Sequence, residues 1–377
     1  MRLSILATAA TVGLSSIASA GTLVEPFTSY YAFGDSLTDD GKLGPLLGPP
    51  SFDGRFSTGP TYAEYIAGIF EATGRDTNNL AVGGATAVRP DDDGDPATPA
   101  PGPDIPLADF ESQLTFFLGA LASVLPIPES IIPPVFDVTP PEPGTNPLAS
   151  VLLGPNDLFG VLSASSSDSN LNASEIAEVQ TAANAVIGGL IGLQGATGGL
   201  FNDFLVIDLP DLGIVPRFLS TDDADIATQA TNVFNAQLEA GLQFIESDLN
   251  PLGAANIYRF SLNAFLNDVV DGTIVIPGVT DFTTPCTETL LLISLPNCFF
   301  VDPALAVERL FADEVHPNGQ AHAAFAQSII AELGTQFTQH PAQQVSAVPL
   351  PAGLPLLLVG LGGFAVMRKR QAARQTT

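Results

Sequence analysis

No tryptophan, two cysteines, three histidines and only 12 basic residues occur in this chain of 377. Each scarcity excludes something. The basic residues, of which only Lys42 and Lys369 are lysines, stand against 40 acidic ones, a formal charge of −28. Binding nucleic-acid phosphates needs clustered cations, so that class of partner is excluded. The acidic balance reads instead as a solvated surface that keeps a protein soluble, including in salty water. Two cysteines without an accompanying His or Cys cluster make a poor metal site. No internal repeat appears, nor any Gly-rich phosphate loop of P-loop or Rossmann spacing. What is plentiful is apolar: 46% of the chain is hydrophobic and 24 residues are Phe, enough for a large core. With 35 Gly and 32 Pro, many loops surround that core.

The two ends read as targeting segments. Met1-Arg2, an apolar run from Leu3 to Ile17 and Ala18-Ser19-Ala20 form the pattern of a secretory leader with a small-residue cleavage site. At the far end Val348-Pro349-Leu350-Pro351-Ala352 precedes an apolar run to Met367 and then Arg368-Lys369-Arg370. That run is shorter than the roughly 20 residues of a spanning helix. Its basic flank would stay inside, leaving the body outside the cytoplasm. The tail resembles the VPLPA variant of the bacterial PEP-CTERM sorting signals. That resemblance implies transient membrane contact and removal by an exosortase-type protease. The expected organisation is a leader over 1–20, one body over 21–337, a linker over 338–347 and the tail over 348–377. In an exported chain the pair Cys286 and Cys298 reads as a disulfide closing a small loop.

Short apolar runs bounded by Gly, Pro or Asn predict buried strands at Tyr30 to Phe33, Asn79 to Val82, Ala149 to Leu153, Phe204 to Leu209 and Asn256 to Phe260. Helical spacing predicts helices at Thr61 to Ala72, Leu107 to Leu125, Ala173 to Leu193, Asp223 to Leu249 and Gln320 to Leu333. Strands alternating with helices predict an α/β fold, a parallel sheet covered on both faces. Asp91-Asp92-Asp93-Gly94-Asp95 lacks EF-hand spacing and reads as a solvated loop, and Pro126 to Pro147 as a proline-studded insertion near the mouth of the sheet.

Ligands of such sheets bind beyond the carboxyl ends of the strands. Those ends carry Ser36, then Gly83-Gly84, then Asn156: a nucleophile candidate and two kinds of hydrogen-bond donor. A serine hydroxyl needs a base, and acyl transfer also needs donors for its oxyanion. Of the histidines, His322 falls in a helix and His340 in the linker, and both read as surface residues. His316 lies in Ala312-Asp313-Glu314-Val315-His316-Pro317, where Asp313 stands three residues earlier, able to fix its tautomer. Pro317 biases His316 away from helical dihedrals.

Taken together these stretches resemble the GDSL (SGNH) esterases and lipases. Phe33-Gly34-Asp35-Ser36-Leu37-Thr38-Asp39 is similar to the first block of that family, and Gly54 to Thr61 to the segment that follows it. Asn79 to Ala85 is similar to the second block, Gly154-Pro155-Asn156-Asp157 to the third and Asp313 to Pro317 to the last. Leu209-Pro210-Asp211-Leu212-Gly213 resembles a stretch of the lipase branch. The resemblance implies a three-layer α/β/α, flavodoxin-like fold with a mostly five-stranded parallel sheet. It implies Ser36 as nucleophile, His316 as general base and acid, and Asp313 as the acid that orients it. The Ser36 N–H, the Gly84 N–H (or that of Gly83, one register away) and the Asn156 amide would form the oxyanion hole. No metal or organic cofactor is implied; the partner is a small-molecule or lipid ester. Pro155, Asn318 and Asp40-Gly41-Lys42 depart from the commoner family residues without touching a catalytic position. The G-x-S-x-G elbow of α/β-hydrolases is absent around Ser36. A carbohydrate O-deacetylase of the same fold and a non-catalytic surface or matrix binding protein stand as the alternatives.

Overall fold

A computed structural model of the chain describes residues 26–44, 51–89, 108–122, 141–165, 170–247, 249–287, 289–290, 293–294 and 304–339. Five strands, β1 (Ser29–Gly34), β2 (Asp76–Asn79), β3 (Pro147–Leu152), β4 (Asp203–Ile207) and β5 (Asn256–Phe260), form one sheet. Its order is β2-β1-β3-β4-β5 and every pairing is parallel. All residues of β1, β3 and β4 are buried, as a parallel sheet with both faces covered requires. That is why these strands read as continuous apolar runs.

Seven helices matter to the layers: α1 (Tyr62–Glu71), α2 (Phe110–Leu121), α3 (Pro155–Ala164), α4 (Ala173–Ala196), α5 (Ala224–Ile245), α6 (Leu262–Val270) and α7 (Gly319–Gln339). On one side α2, α3 and α5 pack against α4. On the other, α1 packs on α7, and Phe265 of α6 meets Phe325 of α7 at 5.7 Å between ring centroids. This is the expected three-layer α/β/α arrangement. Phe fills the space that the missing Trp leaves: Phe117 touches Tyr31, Phe33 and Phe201 at 5.0, 5.7 and 5.4 Å.

Capping sets several boundaries. Asp109 accepts from the Ser112 N–H at 2.8 Å, so α2 starts at Phe110 and not at Leu107. Asn172 and Glu175 form a reciprocal box at the start of α4, where the spacing predicts it. Two helices, α3 and α6, have no counterpart in the periodicity. The first opens on Gly154-Pro155, which reads as a turn, yet Pro suits the first helical position.

The second strand differs most from expectation. The apolar run Asn79 to Val82 predicts it, but β2 lies at the polar Asp76–Asn79. It pairs only with β1 at the sheet edge, where half-buried polar side chains are tolerated. Leu80, Ala81 and Val82 are the buried exit, with the Leu80 and Val82 N–H groups bonded to Ala32 O and Gly34 O. The acidic run 91–95, most of the insertion up to 140, His340, Cys298, the leader and the tail all lie outside the described residues.

Candidate active site

At the end of β1 the chain turns sharply. The Asp35 carbonyl accepts from the Thr38 and Asp39 N–H groups, and its side chain from the Leu37 N–H at 3.0 Å. Ser36 is carried on the outside of this turn. Gly34 must be glycine: a Cβ there would lie 2.5 Å from Thr38 Oγ1 and 2.9 Å from Leu152 O. The buried Gln113 of α2 grips the strand end, accepting from Gly34 N–H at 3.0 Å and donating to Gly34 O at 2.8 Å. Nothing in the sequence pattern singles out Gln113.

His316 sits on a short loop before α7. Asp313 Oδ1 accepts from the Val315 and His316 N–H groups at 2.9 and 2.8 Å, so the acid shapes its own loop. His316 Nδ1 lies 2.7 Å from Asp313 Oδ2, and Nε2 lies 2.7 Å from Ser36 Oγ. Ser36, His316 and Asp313, separated by up to 280 residues in the chain, are thus one connected chain of hydrogen bonds. Asn318, a family departure, has a job of its own. Its amide donates to Arg309 O at 2.6 Å and its Oδ1 accepts from Ala321 N–H at 2.8 Å, capping α7.

The segment after the first block straps this loop in place. Ser57 donates to Pro317 O at 3.0 Å and Thr58 accepts from Gly319 N–H at 3.1 Å. Phe56 lies against the imidazole of His316, 5.1 Å between centroids. The same ring lies on Gly83, where a Cβ would come within 1.9 Å of it. One aromatic therefore bridges the base and the end of the second block.

The proposed donors fall at the same rim. The Gly83 N–H is taken by Asp39 Oδ2 at 2.7 Å. Gly84, with φ +85°, and Ser36 keep N–H groups that bond nothing among the described residues. Of the two glycines, Gly84 is therefore the one with an N–H open among the described residues. Asn156 Nδ2 donates one hydrogen to Ala85 O at 2.9 Å, leaving the other open. Asp157 holds the two blocks together, accepting from the Ala87 and Val88 N–H groups at 2.7 and 3.0 Å.

Electrostatics follow from this geometry. Burial alone would raise Asp313, but the His316 charge and the hydrogen bonds it accepts hold it below the ordinary carboxylate value. Burial would lower His316, but the Asp313 carboxylate outweighs it, with help from Asp35, and its pKa is raised. Asp35 itself is fully buried, its Oδ2 has no partner, and burial pushes it to about 7. Asp157 is pushed by burial to about 6.

His322 does lie on a helix, but it is not a surface residue: it is 1% exposed. Its Nδ1 accepts from the Tyr62 N–H at 3.3 Å and burial drives its pKa to about 3. Its Nε2 reaches no partner among the described residues. Among the described residues no group of three or more His, Cys, Asp or Glu is placed to hold a metal, and none of the cysteines is free.

A family model described as GDSL-like Lipase/Acylhydrolase matches residues 30–329. Among solved structures, an acetylxylan esterase from Geobacillus stearothermophilus is 14% identical, covering 81% of this chain and 94% of that one with a TM-score of 0.40. A GDSL-like lipase from Bacteroides thetaiotaomicron is 11% identical, covering 86% and 97%, with a TM-score of 0.35. An α/β hydrolase from the metagenome of Lake Arreo, Spain, is 12% identical over 81% and 95%, with a TM-score of 0.40. No curated protein matches the chain.

Proposed function

The chain belongs to the GDSL-like lipase/acylhydrolase family and is a serine ester hydrolase, and from that premise we propose that it cleaves carboxylic esters through an acyl-enzyme on Ser36. The observation that carries the mechanism is the 2.7 Å contact of His316 Nε2 with Ser36 Oγ, continued at 2.7 Å from Nδ1 to Asp313. Ser36 Oγ attacks the carbonyl carbon while its proton passes to Nε2. The carbonyl oxygen becomes an oxyanion and accepts hydrogen bonds from the Ser36 N–H, the Gly84 N–H and the Asn156 amide. Collapse breaks the bond to the alcohol oxygen, which takes the proton from Nε2. Water then attacks the acyl-enzyme by the same route in reverse, releasing the acid and restoring Ser36. Asp313 keeps the Nδ1–H tautomer and stabilises the imidazolium without taking its proton.

A small apolar cavity of about 20 Å³ lies among Leu37, Val315, Pro317, Phe265, His322 and Phe325, behind the residues next to the nucleophile and the base and lined by none of Ser36, Asp313 and His316. We take the acyl group to be short, and an acetyl group keeps the carbohydrate O-deacetylase reading as the second one. The family sets aside the non-catalytic reading.

The leader-like and sorting-tail-like patterns of the sequence support export to the cell envelope or surface, with the tail trimmed by an exosortase-type protease, and an exported Cys286 and Cys298 would pair. The test of function is hydrolysis of p-nitrophenyl esters of graded acyl length, beside acetylated xylo-oligosaccharide. Activity greatest on acetyl to butyryl esters and absent in Ser36→Ala supports the reading. Unchanged hydrolysis in Ser36→Ala removes the serine from the mechanism.

A further inference from the structure

Cations are scarce here, and among the described residues three are ion-paired. Lys42 pairs with Asp40 at 2.6 Å, Arg55 with Glu64, and Arg259 with Glu239 and Glu246 at 2.8 and 2.6 Å. Arg217 is different. Its guanidinium lies over the Phe159 ring at 4.8 Å and the Phe218 ring at 5.5 Å. Its side chain makes no ion pair or hydrogen bond among the described residues. In a chain of 40 acidic residues, a guanidinium set against a pair of touching rings (6.0 Å between centroids) and not ion-paired among the described residues is an unusual arrangement.

Its position ties it to the site already described. The Arg217 N–H donates to Glu314 O at 2.9 Å, inside the loop between Asp313 and His316. Phe159 stands three residues beyond Asn156 on α3, close to one turn along the helix. Arg217, Phe159 and Phe218, with Leu162, Ser163 and Asp223, line a cavity of about 200 Å³. That is below the roughly 300 Å³ at which pockets for drug-sized ligands begin, so it suits a substituent and not a whole molecule. Ser163 donates its hydroxyl to Gly160 O at 2.8 Å, leaving Arg217 as the strong donor in the cavity.

We propose that this cavity is a subsite for an oxyanion, a carboxylate or phosphate carried by the ester substrate close to its scissile bond. A guanidinium over aromatic rings loses little hydration and keeps donors for contact with such a group. Against a net charge of −28, an anionic substrate gains nothing from the overall field, so a local cation on the segment bonded to the Asp313–His316 loop decides its acceptance. Asp223 opposes Arg217 in the cavity without pairing to it and weakens anion binding.

The subsite rests on the ester-hydrolase reading and is tested so that the two fail separately. With the full chain, kcat/KM is compared for 4-acetoxybenzoate and its neutral methyl ester, and for dibutyrylglycerol phosphate and neutral dibutyrylglycerol. The carboxylate and phosphate pairs identify which anion is preferred. Arg217→Gln lowers the anionic-to-neutral ratio on the order of 10-fold in at least one pair. Arg217→Lys lowers it less, and Asp223→Asn raises it. A ratio unchanged in Arg217→Gln for both pairs overturns the proposal. Calorimetric titration with inorganic phosphate and with benzoate reads the site independently of turnover. Saturable binding lost in Arg217→Gln supports it, and should every ester be left intact, the absence of binding by either anion overturns it.

Discussion

The imidazole of His316 touches Ser36, Asp313 and Phe56, and feels the buried Asp35 behind the nucleophile turn. To act as a base it must be neutral, and its pKa is raised above the ordinary value near 6.5. The acid limb of kcat/KM is therefore expected to have its midpoint above 6.5, with activity rising as pH increases through it. Asp35→Asn removes one of the negative charges behind that rise, so the midpoint moves to lower pH. A pH–rate profile of both proteins checks this, and coincident limbs would contradict it. Stability carries the opposite pair of signs. Asp313, held low, contributes stability at neutral pH that is lost as pH falls through its folded value. His316, held high, contributes below about 6.5 and loses that contribution as pH rises through its folded value. At this scale the sequence was informative where chemistry demands a residue type, as at Ser36, Asp313 and His316. It was silent on residues that act through geometry alone. Gln113 reads as any amphipathic-helix residue, and the unpartnered Asp35 Oδ2 has no signature at all.

Helix α3 shows how an element positions a single donor. Gly154 has φ +133°, and a Cβ there would meet the Phe234 ring at 2.6 Å and Leu209 at 3.1 Å. The chain can then swing directly from β3 into a helix whose first residues are Pro155 and Asn156. Gly154→Ala is expected to cost roughly 2–4 kcal/mol through backbone strain and overpacking, lowering Tm by about 3–6 °C. Calorimetry of the full chain measures it; an unchanged Tm would show that α3 starts elsewhere. Element legibility followed burial. Strands buried on both faces, such as β1 and β4, are continuous apolar runs and lie within a few residues of where the pattern predicts them. The edge strand β2 is polar and was displaced by the stronger signal of its own buried exit. The nine residues of α6 follow β5 after only Ser261, too closely for periodicity to separate them.

Across the whole molecule the dominant quantity is the charge of −28. Self-repulsion of that size opposes the compact state and is screened within about 10 Å at 0.1 M salt. Raising NaCl from about 10 mM to about 0.5 M is therefore expected to raise Tm, where a charge-balanced protein of this fold would respond little. A fall or no change on thermal melting would mean that the acidic groups are spaced too far apart to matter. The parallel sheet and the two helical layers were implied by the strand–helix alternation together with the family resemblance, and the order β2-β1-β3-β4-β5 comes from the structure. The burial of His322 was not implied, because the side of a helix that faces a neighbour is fixed by the packing of α1 on α7 and not by the helix's own sequence.

The proposed mechanism requires Ser36 to be activated by His316, and covalent trapping tests that most directly. The full chain is treated with a fluorophosphonate and the modified peptide is mapped by mass spectrometry. A single adduct on Ser36, formed far more slowly in His316→Ala, is the predicted result. A folded protein that takes no adduct, or takes it at another residue, would contradict the mechanism.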